Sequence, residues 1–323
     1  MILHLRRAAV ACAAVLALAA CGESAVDSPG SAPGGSASGD TAAGGDGLVF
    51  ASIPSEESTS LQQSYAPVIA MLERETGTTI EFQNATDYAA VIEGMRAGQI
   101  DIAVFGPFSY VLAKGQDPGI TPVAAVVDAP GDEPGYQSYG ITAAGSGITD
   151  LAAFAGRTVC FVDPNSTSGY LYPTAGLIEA GVDPAGGITP VFAGGHDASA
   201  LAVANGQCDA GFAYDTIVDR QLVDSGQLQP GQLEVVWRSE TIAGSPVAVS
   251  GHVDPQRRQV IADAFAQKAN VDYLSANGFC ASAADCEVGE DAGWGYVAVD
   301  DALYDGVRRV CAVTQAESCT SLS

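Results

Sequence analysis

LVFASIPSEESTSLQQSYAPVIAMLERETGTTIEFQNATDYAAVIEGMRAGQIDIAVF, residues 48–105, alternates between two periodicities. Leu48 to Ile53 is a short apolar run that ends in Pro54-Ser55-Glu56-Glu57, a turn and helix start. From Leu61 to Glu75 the apolar residues Leu61, Tyr65, Val68, Ile69 and Leu72 recur at helical spacing, and Gly77 closes the segment. Thr79 to Phe82 reads as a second strand. Asp87 caps a helix with Val91, Ile92 and Met95 on one face, and Ile100 to Phe105 forms a third strand. This β-α-β-α-β order implies an α/β protein with a mostly parallel sheet flanked by helices.

The pattern returns downstream. Thr158–Val162, Ile188–Phe192 and Ala210–Tyr214 read as strands, with helices at Gly169–Ala180 and Ser199–Ala204 between them. Val235–Trp237 and Pro246–Val249 are further strands, Gln256–Leu274 is a helix, and the Gly- and Cys-rich tail is expected to pack back on the first set of units. A body of about 275 residues from Leu48 onward is large for one core, so two lobes are expected. Periodicity leaves open whether they are sequential or interleaved. Ligands of open α/β sheets sit at the carboxyl ends of strands, which makes a cleft between lobes the default site.

Upstream of the body, Arg6 and Arg7 precede an apolar run from Ala8 to Ala20, too short for a stable span, that ends in Leu18-Ala19-Ala20-Cys21. Residues 1–20 therefore read as a lipoprotein signal peptide. Cys21 is the expected lipidation site, and two acyl chains suffice to hold a protein at a membrane. Residues 21–47 are almost entirely Gly, Ser, Ala, Pro, Thr and Asp, the composition of a flexible tether. Without the leader, 11 basic residues face 38 acidic ones, a net charge of −27. Nucleic-acid binding and polybasic membrane docking are excluded on that balance, and an anionic ligand must meet a locally inverted field.

Six cysteines remain beyond the signal and the anchor: Cys160, Cys208, Cys280, Cys286, Cys311 and Cys319. In an exported chain they read as three disulfides with 15 possible connectivities. Short spacing pairs Cys280 with Cys286 and Cys311 with Cys319, leaving Cys160 with Cys208. No CxxC pair or His-rich cluster supports a metal centre, and no cofactor is expected.

Asp163-Pro164-Asn165-Ser166-Thr167-Ser168-Gly169-Tyr170 carries the most chemistry. It follows a strand and opens a helix, so unpaired backbone N–H groups, the positive end of the dipole and three successive hydroxyls converge on an anion site. An ordinary capped helix would use the same residue types. His196 follows Gly194-Gly195 at the expected carboxyl end of a strand, where an imidazolium would give an oxyanion a charge-assisted bond.

The Asp163–Tyr170 run resembles the signature of the phosphate/phosphite/phosphonate-binding proteins of ABC transporters, the PhnD-like family. Asp87-Tyr88-Ala89, Asp101 to Tyr110, Pro134-Gly135-Tyr136, Gly194-Gly195-His196-Asp197 and Leu201 to Asn205 are similar to further family motifs, in family order. The resemblance covers residues 48 to about 250.

It implies a two-lobed, type II periplasmic-binding-protein-like fold with interleaved lobes, 48–138 plus 243–323 and 139–242, and the ligand in the cleft between them. It also implies that Ser166, Thr167, Ser168 and His196 hold a phosphorus oxyanion, with Tyr88 and Tyr136 on the opposite lobe. Aminoalkylphosphonate binders place acidic residues where Thr216 and Ser245 fall in this chain, while Asp215 stands one residue from the first position. A small ligand without an amine is therefore expected.

The implied function is a lipid-anchored, extracytoplasmic solute-binding protein, monomeric, that delivers phosphite, phosphate or a short alkylphosphonate to an ABC permease. A sensory binding protein is the alternative. An enzyme on the same fold is disfavoured, since no Ser-His-Asp signature, metal cluster or forced acid–base pair is present.

Overall fold

The computed structural model describes residues 47–56, 58–289, 293–314, 316 and 318–319. The signal peptide, Cys21 and the tether up to residue 46 lie outside the described residues. No helix among the described residues is long and apolar enough to cross a membrane.

The first stretch folds as its periodicities require. Strands Leu48–Ser52, Ile80–Asn84 and Ile102–Val104 alternate with helices Ser58–Thr76 and Tyr88–Arg96. The three strands pair in parallel, and the central one, Leu48–Ser52, has buried residues at four of its five positions. Phe50, Tyr65 and Phe82 pack ring against ring between this sheet and the first helix. Asp87 caps the second helix, its Oδ1 accepting from the Ala90 amide at 2.8 Å.

Three antiparallel strands widen this sheet to six. Pro246–Val249 lies between Ile102–Val104 and Thr121–Val127, and Gly295–Ala298 pairs with the outer side of Thr121–Val127. A separate five-stranded sheet runs in the order Leu233–Arg238, Ser138–Ala143, Ala210–Tyr214, Thr158–Phe161, Thr189–Phe192. Its last three strands are parallel and its first two antiparallel to their neighbours. Both sheets are thus mixed: parallel where β-α-β units follow one another, antiparallel where the chain returns. Between the sheets in sequence, Gly135–Tyr136 pairs antiparallel with Ile242–Ala243 as a two-residue ribbon.

The helix expected over 256–274 is two helices, Pro255–Lys268 and Val271–Ala276. Ala269 leaves the helical region at ψ 65°, and Asn270 restarts the turn by accepting from the Tyr273 amide at 2.9 Å. The tail contributes the edge strand Gly295–Ala298 and a final helix, Asp305–Thr314. That helix packs on helices Pro107–Gln116 and Tyr172–Glu179 and on the Ile242–Ala243 side of the ribbon. Tyr110 donates to Asp301 at 2.6 Å, and Arg308 bridges Asp301 and Asp305 beside it.

All three cysteine pairs form as their spacing suggests, with Cα–Cα distances of 5.8 Å for Cys160–Cys208, 5.2 Å for Cys280–Cys286 and 5.6 Å for Cys311–Cys319. The first joins strand Thr158–Phe161 to the approach of its neighbour Ala210–Tyr214.

Candidate functional site

Four helices begin at one cavity. Tyr88 opens helix Tyr88–Arg96, and Gly106 caps helix Pro107–Gln116. Ser166 caps a π-helical turn, Thr167–Leu171, that runs into helix Tyr172–Glu179, and His196 opens helix His196–Ala204. All four positions line one cavity. Each helix start brings the positive end of a helix dipole, roughly half a charge, so the convergence favours an anion at this point of an acidic chain.

Of the residues singled out in the sequence, Ser166, Thr167, Ser168, His196, Tyr88, Tyr136 and Ser245 line this cavity. The three hydroxyl residues and His196 are buried. Ser166 Oγ accepts from the Gly169 amide at 3.0 Å, which closes the turn. Gly169 is needed there because a Cβ would stand 2.4 Å from Val162. Ser138 Oγ donates to the Ser168 carbonyl at 2.6 Å, turning that oxygen away.

Two bonds tie the turn and the histidine to the six-stranded sheet's side. The Phe108 amide donates to Thr167 Oγ1 at 2.8 Å, and the His196 amide donates to the Ser55 carbonyl at 2.7 Å.

Asp215 and Thr216 do not reach the cavity. The Asp215 carboxylate accepts from the Gln137 and Thr216 amides, each at 3.0 Å, and burial raises its pKa while those bonds partly restore it. The strand ends at Tyr214, which lines the cavity, and the chain turns helical at Asp215 and Thr216, which takes both side chains away from it.

The sequence left the charge state of His196 open. Burial pushes its pKa down to about 3, because a buried imidazolium loses its hydration. Its Nδ1 accepts from the Tyr214 amide at 3.1 Å, so the neutral ring carries its proton on Nε2, which stands 3.4 Å from Ser166 Oγ. The ring is a neutral donor rather than an imidazolium.

Since the folded pKa lies below the unfolded value of about 6.5, the unfolded chain binds the extra proton between the two. Stability is complete above about pH 6.5 and falls with pH toward about 3. Relative to His196→Gln, the wild type should lose about 2 kcal/mol by pH 5, at about 1.4 kcal/mol per unit. Parallel urea midpoints across that range would remove this assignment.

Ser55, Gly106 and Tyr214 also line the cavity and were not picked out from the sequence. Each lies at or just beyond the carboxyl end of a strand, Leu48–Ser52, Ile102–Val104 and Ala210–Tyr214. Applied strand by strand, the carboxyl-end rule finds all three. Gly106-Pro107 adds a helix-start signal, proline at the first helical position. No group of His, Cys, Asp and Glu able to hold a metal occurs among the described residues.

Residues 50–292 match the family model described as ABC transporter, phosphonate, periplasmic substrate-binding protein. The chain belongs to this family. It is an extracytoplasmic substrate-binding protein, not an enzyme. Among curated relatives, the chain is 51% identical over 280 residues to the phosphate-import protein PhnD of Mycolicibacterium smegmatis, covering 84% of this chain and 87% of that one. Among solved structures, the binding protein component of an ABC phosphonate transporter from Pseudomonas aeruginosa matches with a TM-score of 0.72 at 28% identity, over 84% of this chain and 87% of that one. PhnD1 from Prochlorococcus marinus, solved in complex with methylphosphonate, shares the fold with a TM-score of 0.72 at 18% identity, over 84% and 99% of the two chains. The family fold is the two-lobed α/β architecture of periplasmic binding proteins.

Proposed function

We propose that this chain is a lipid-anchored receptor that captures a small, amine-free phosphorus oxyanion, phosphate foremost, and hands it to an ABC permease. One observation carries the reading: four helix starts and a buried set of neutral donors converge on a cavity that, among the described residues, no cationic or carboxylate side chain lines. Neutral amides and hydroxyls hold an oxyanion strongly when the site is dry, and a bond to charge contributes about 1.5–3 kcal/mol. Four or five of them offset association and closure costs of about 4–15 kcal/mol. The name of the mycobacterial relative points to phosphate, and that of the Prochlorococcus structure to a small phosphonate.

In this reading the lobes are residues 48–138 with 243–323, and residues 139–242. The Gly135–Tyr136 and Ile242–Ala243 ribbon is where the chain crosses between them. Cys21 holds the acyl anchor, the residues up to 47 form the tether, and the mature protein is a monomer that docks on its permease. Ser166, Thr167, Ser168 and His196 grip the oxyanion from one lobe, with Tyr88, Tyr136 and Ser245 facing them.

A thermal-shift screen of the mature protein against phosphate, phosphite, methylphosphonate and 2-aminoethylphosphonate tests the assignment. A ligand at a hundred times its dissociation constant should add about 2.7 kcal/mol of stability. The reading fails if none of the phosphorus oxyanions shifts the transition.

A further inference from the structure

Three side chains of the cavity already accept a bond from a backbone amide. Thr167 Oγ1 accepts from the Phe108 amide at 2.8 Å, Ser166 Oγ from the Gly169 amide at 3.0 Å, and His196 Nδ1 from the Tyr214 amide at 3.1 Å. A neutral imidazole has one donor and one acceptor, so His196 keeps only its Nε2 hydrogen, which Ser166 Oγ at 3.4 Å and a ligand oxygen share. Each hydroxyl has one lone pair engaged by an amide, and its single hydrogen turns to the strongest acceptor within reach, which in an occupied cavity is an anionic oxygen. No carboxylate lines the cavity among the described residues to take a proton from the ligand. The site therefore presents two hydroxyls and an imidazole, each already holding one backbone amide, with hydrogens that turn toward an anionic oxygen.

Resting on the receptor reading above, we propose that the site selects the protonation state of its ligand, accepting a phosphorus head with three proton-free oxygens and rejecting the form that carries a proton on one of the three. Monohydrogen phosphate and the dianions of phosphite and methylphosphonate each offer three bare oxygens. Their next protonated forms offer two, so a P–O–H would face a donor, and two buried donors facing each other leave a polar group without a partner.

The direction of the pH dependence isolates the ligand's proton from those of the protein. The titratable groups around His196 and the turn are Asp87 at the facing helix start, Asp163 on the adjoining loop, Asp197 in the first turn of the His196 helix, and Asp215 and Asp219 beyond Tyr214. The phenols of Tyr88, Tyr136 and Tyr214 complete the set. Burial raises the carboxyls of Asp163 and Asp215. As pH rises, each of these groups loses positive or gains negative charge, and each change weakens binding of an anion. Loss of a proton by His196 acts in the same direction. Only loss of the ligand's own proton strengthens binding as pH rises.

Calorimetric titration of the mature protein with phosphate, phosphite and methylphosphonate, from mildly acidic to mildly alkaline pH, tests the proposal. The dissociation constant should fall about tenfold per pH unit below each ligand's second ionisation and level off above it. The break should move from ligand to ligand in the order of those ionisations. A flat profile would overturn the proposal, since it would mean that the hydroxyls turn to accept the ligand's proton. Affinity that falls as pH rises would overturn it too, in favour of a cationic His196. Binding of none of the three at any pH would instead remove the receptor reading, and the proposal with it.

Discussion

Thr167→Val should weaken phosphate binding about a hundredfold or more, with the secondary structure unchanged. Valine keeps the shape of threonine and removes only the hydroxyl. Two partners lose out together. The oxyanion loses a bond to charge of about 1.5–3 kcal/mol, and the buried Phe108 amide loses its acceptor at a cost of about 1–3 kcal/mol. That amide belongs to the first turn of helix Pro107–Gln116 on the facing side of the cavity, so the second loss is felt only when the two sides are together. Calorimetry at fixed pH measures the combined effect, and Thr167→Ser should restore most of it. A loss below about threefold in the valine variant would take Thr167 out of the binding site.

The second large effect concerns what the cavity refuses. 2-Aminoethylphosphonate should bind at least about a hundredfold more weakly than phosphate. Its ammonium would leave water for a cavity in which none of the lining side chains is a carboxylate, and an unpaired buried charge costs several kcal/mol. Ser245 lines the cavity with a neutral hydroxyl, and Thr216 lies outside it. Asp215, the nearest carboxylate in sequence, is committed to the Gln137 and Thr216 amides. Competition calorimetry gives the ratio. If the aminophosphonate proved the tighter ligand, Asp215 would have to leave those amides and turn inward.

Much of this was legible in the residues. The alternation over 48–105 gave the parallel strands and their helices because each element buries one face and shows the period of that face. The Ser-Thr-Ser turn and His196 were legible as cavity-lining candidates because each was expected at the carboxyl end of a strand and matches a family motif. What escaped notice was decided by partners far away in sequence. Thr121–Val127 and Gly295–Ala298 pair with each other across more than 150 residues, and nothing local announces an antiparallel neighbour. The charge of His196 stayed open for the same reason: only burial beside the Tyr214 amide, 18 residues on, points to a neutral donor. Asn270 is the reverse case. It is a local signal, an N-cap inside an apolar period, that the longer periodicity concealed.

The order of strands also bears on how the chain is made. Every strand of the five-stranded sheet has been synthesised by Arg238, whereas the six-stranded sheet waits for Pro246–Val249. Until that strand arrives, Ile102–Val104 lacks its antiparallel neighbour, and Thr121–Val127 lacks partners on both sides, since Gly295–Ala298 comes later still. Chain emergence therefore allows the inner body to finish first and leaves the outer one with open edges, the features that recruit wrong partners during slow β-sheet assembly. Residues 102–127 thus carry the longest-open edges, and the last of them closes only when Gly295–Ala298 has followed Val249.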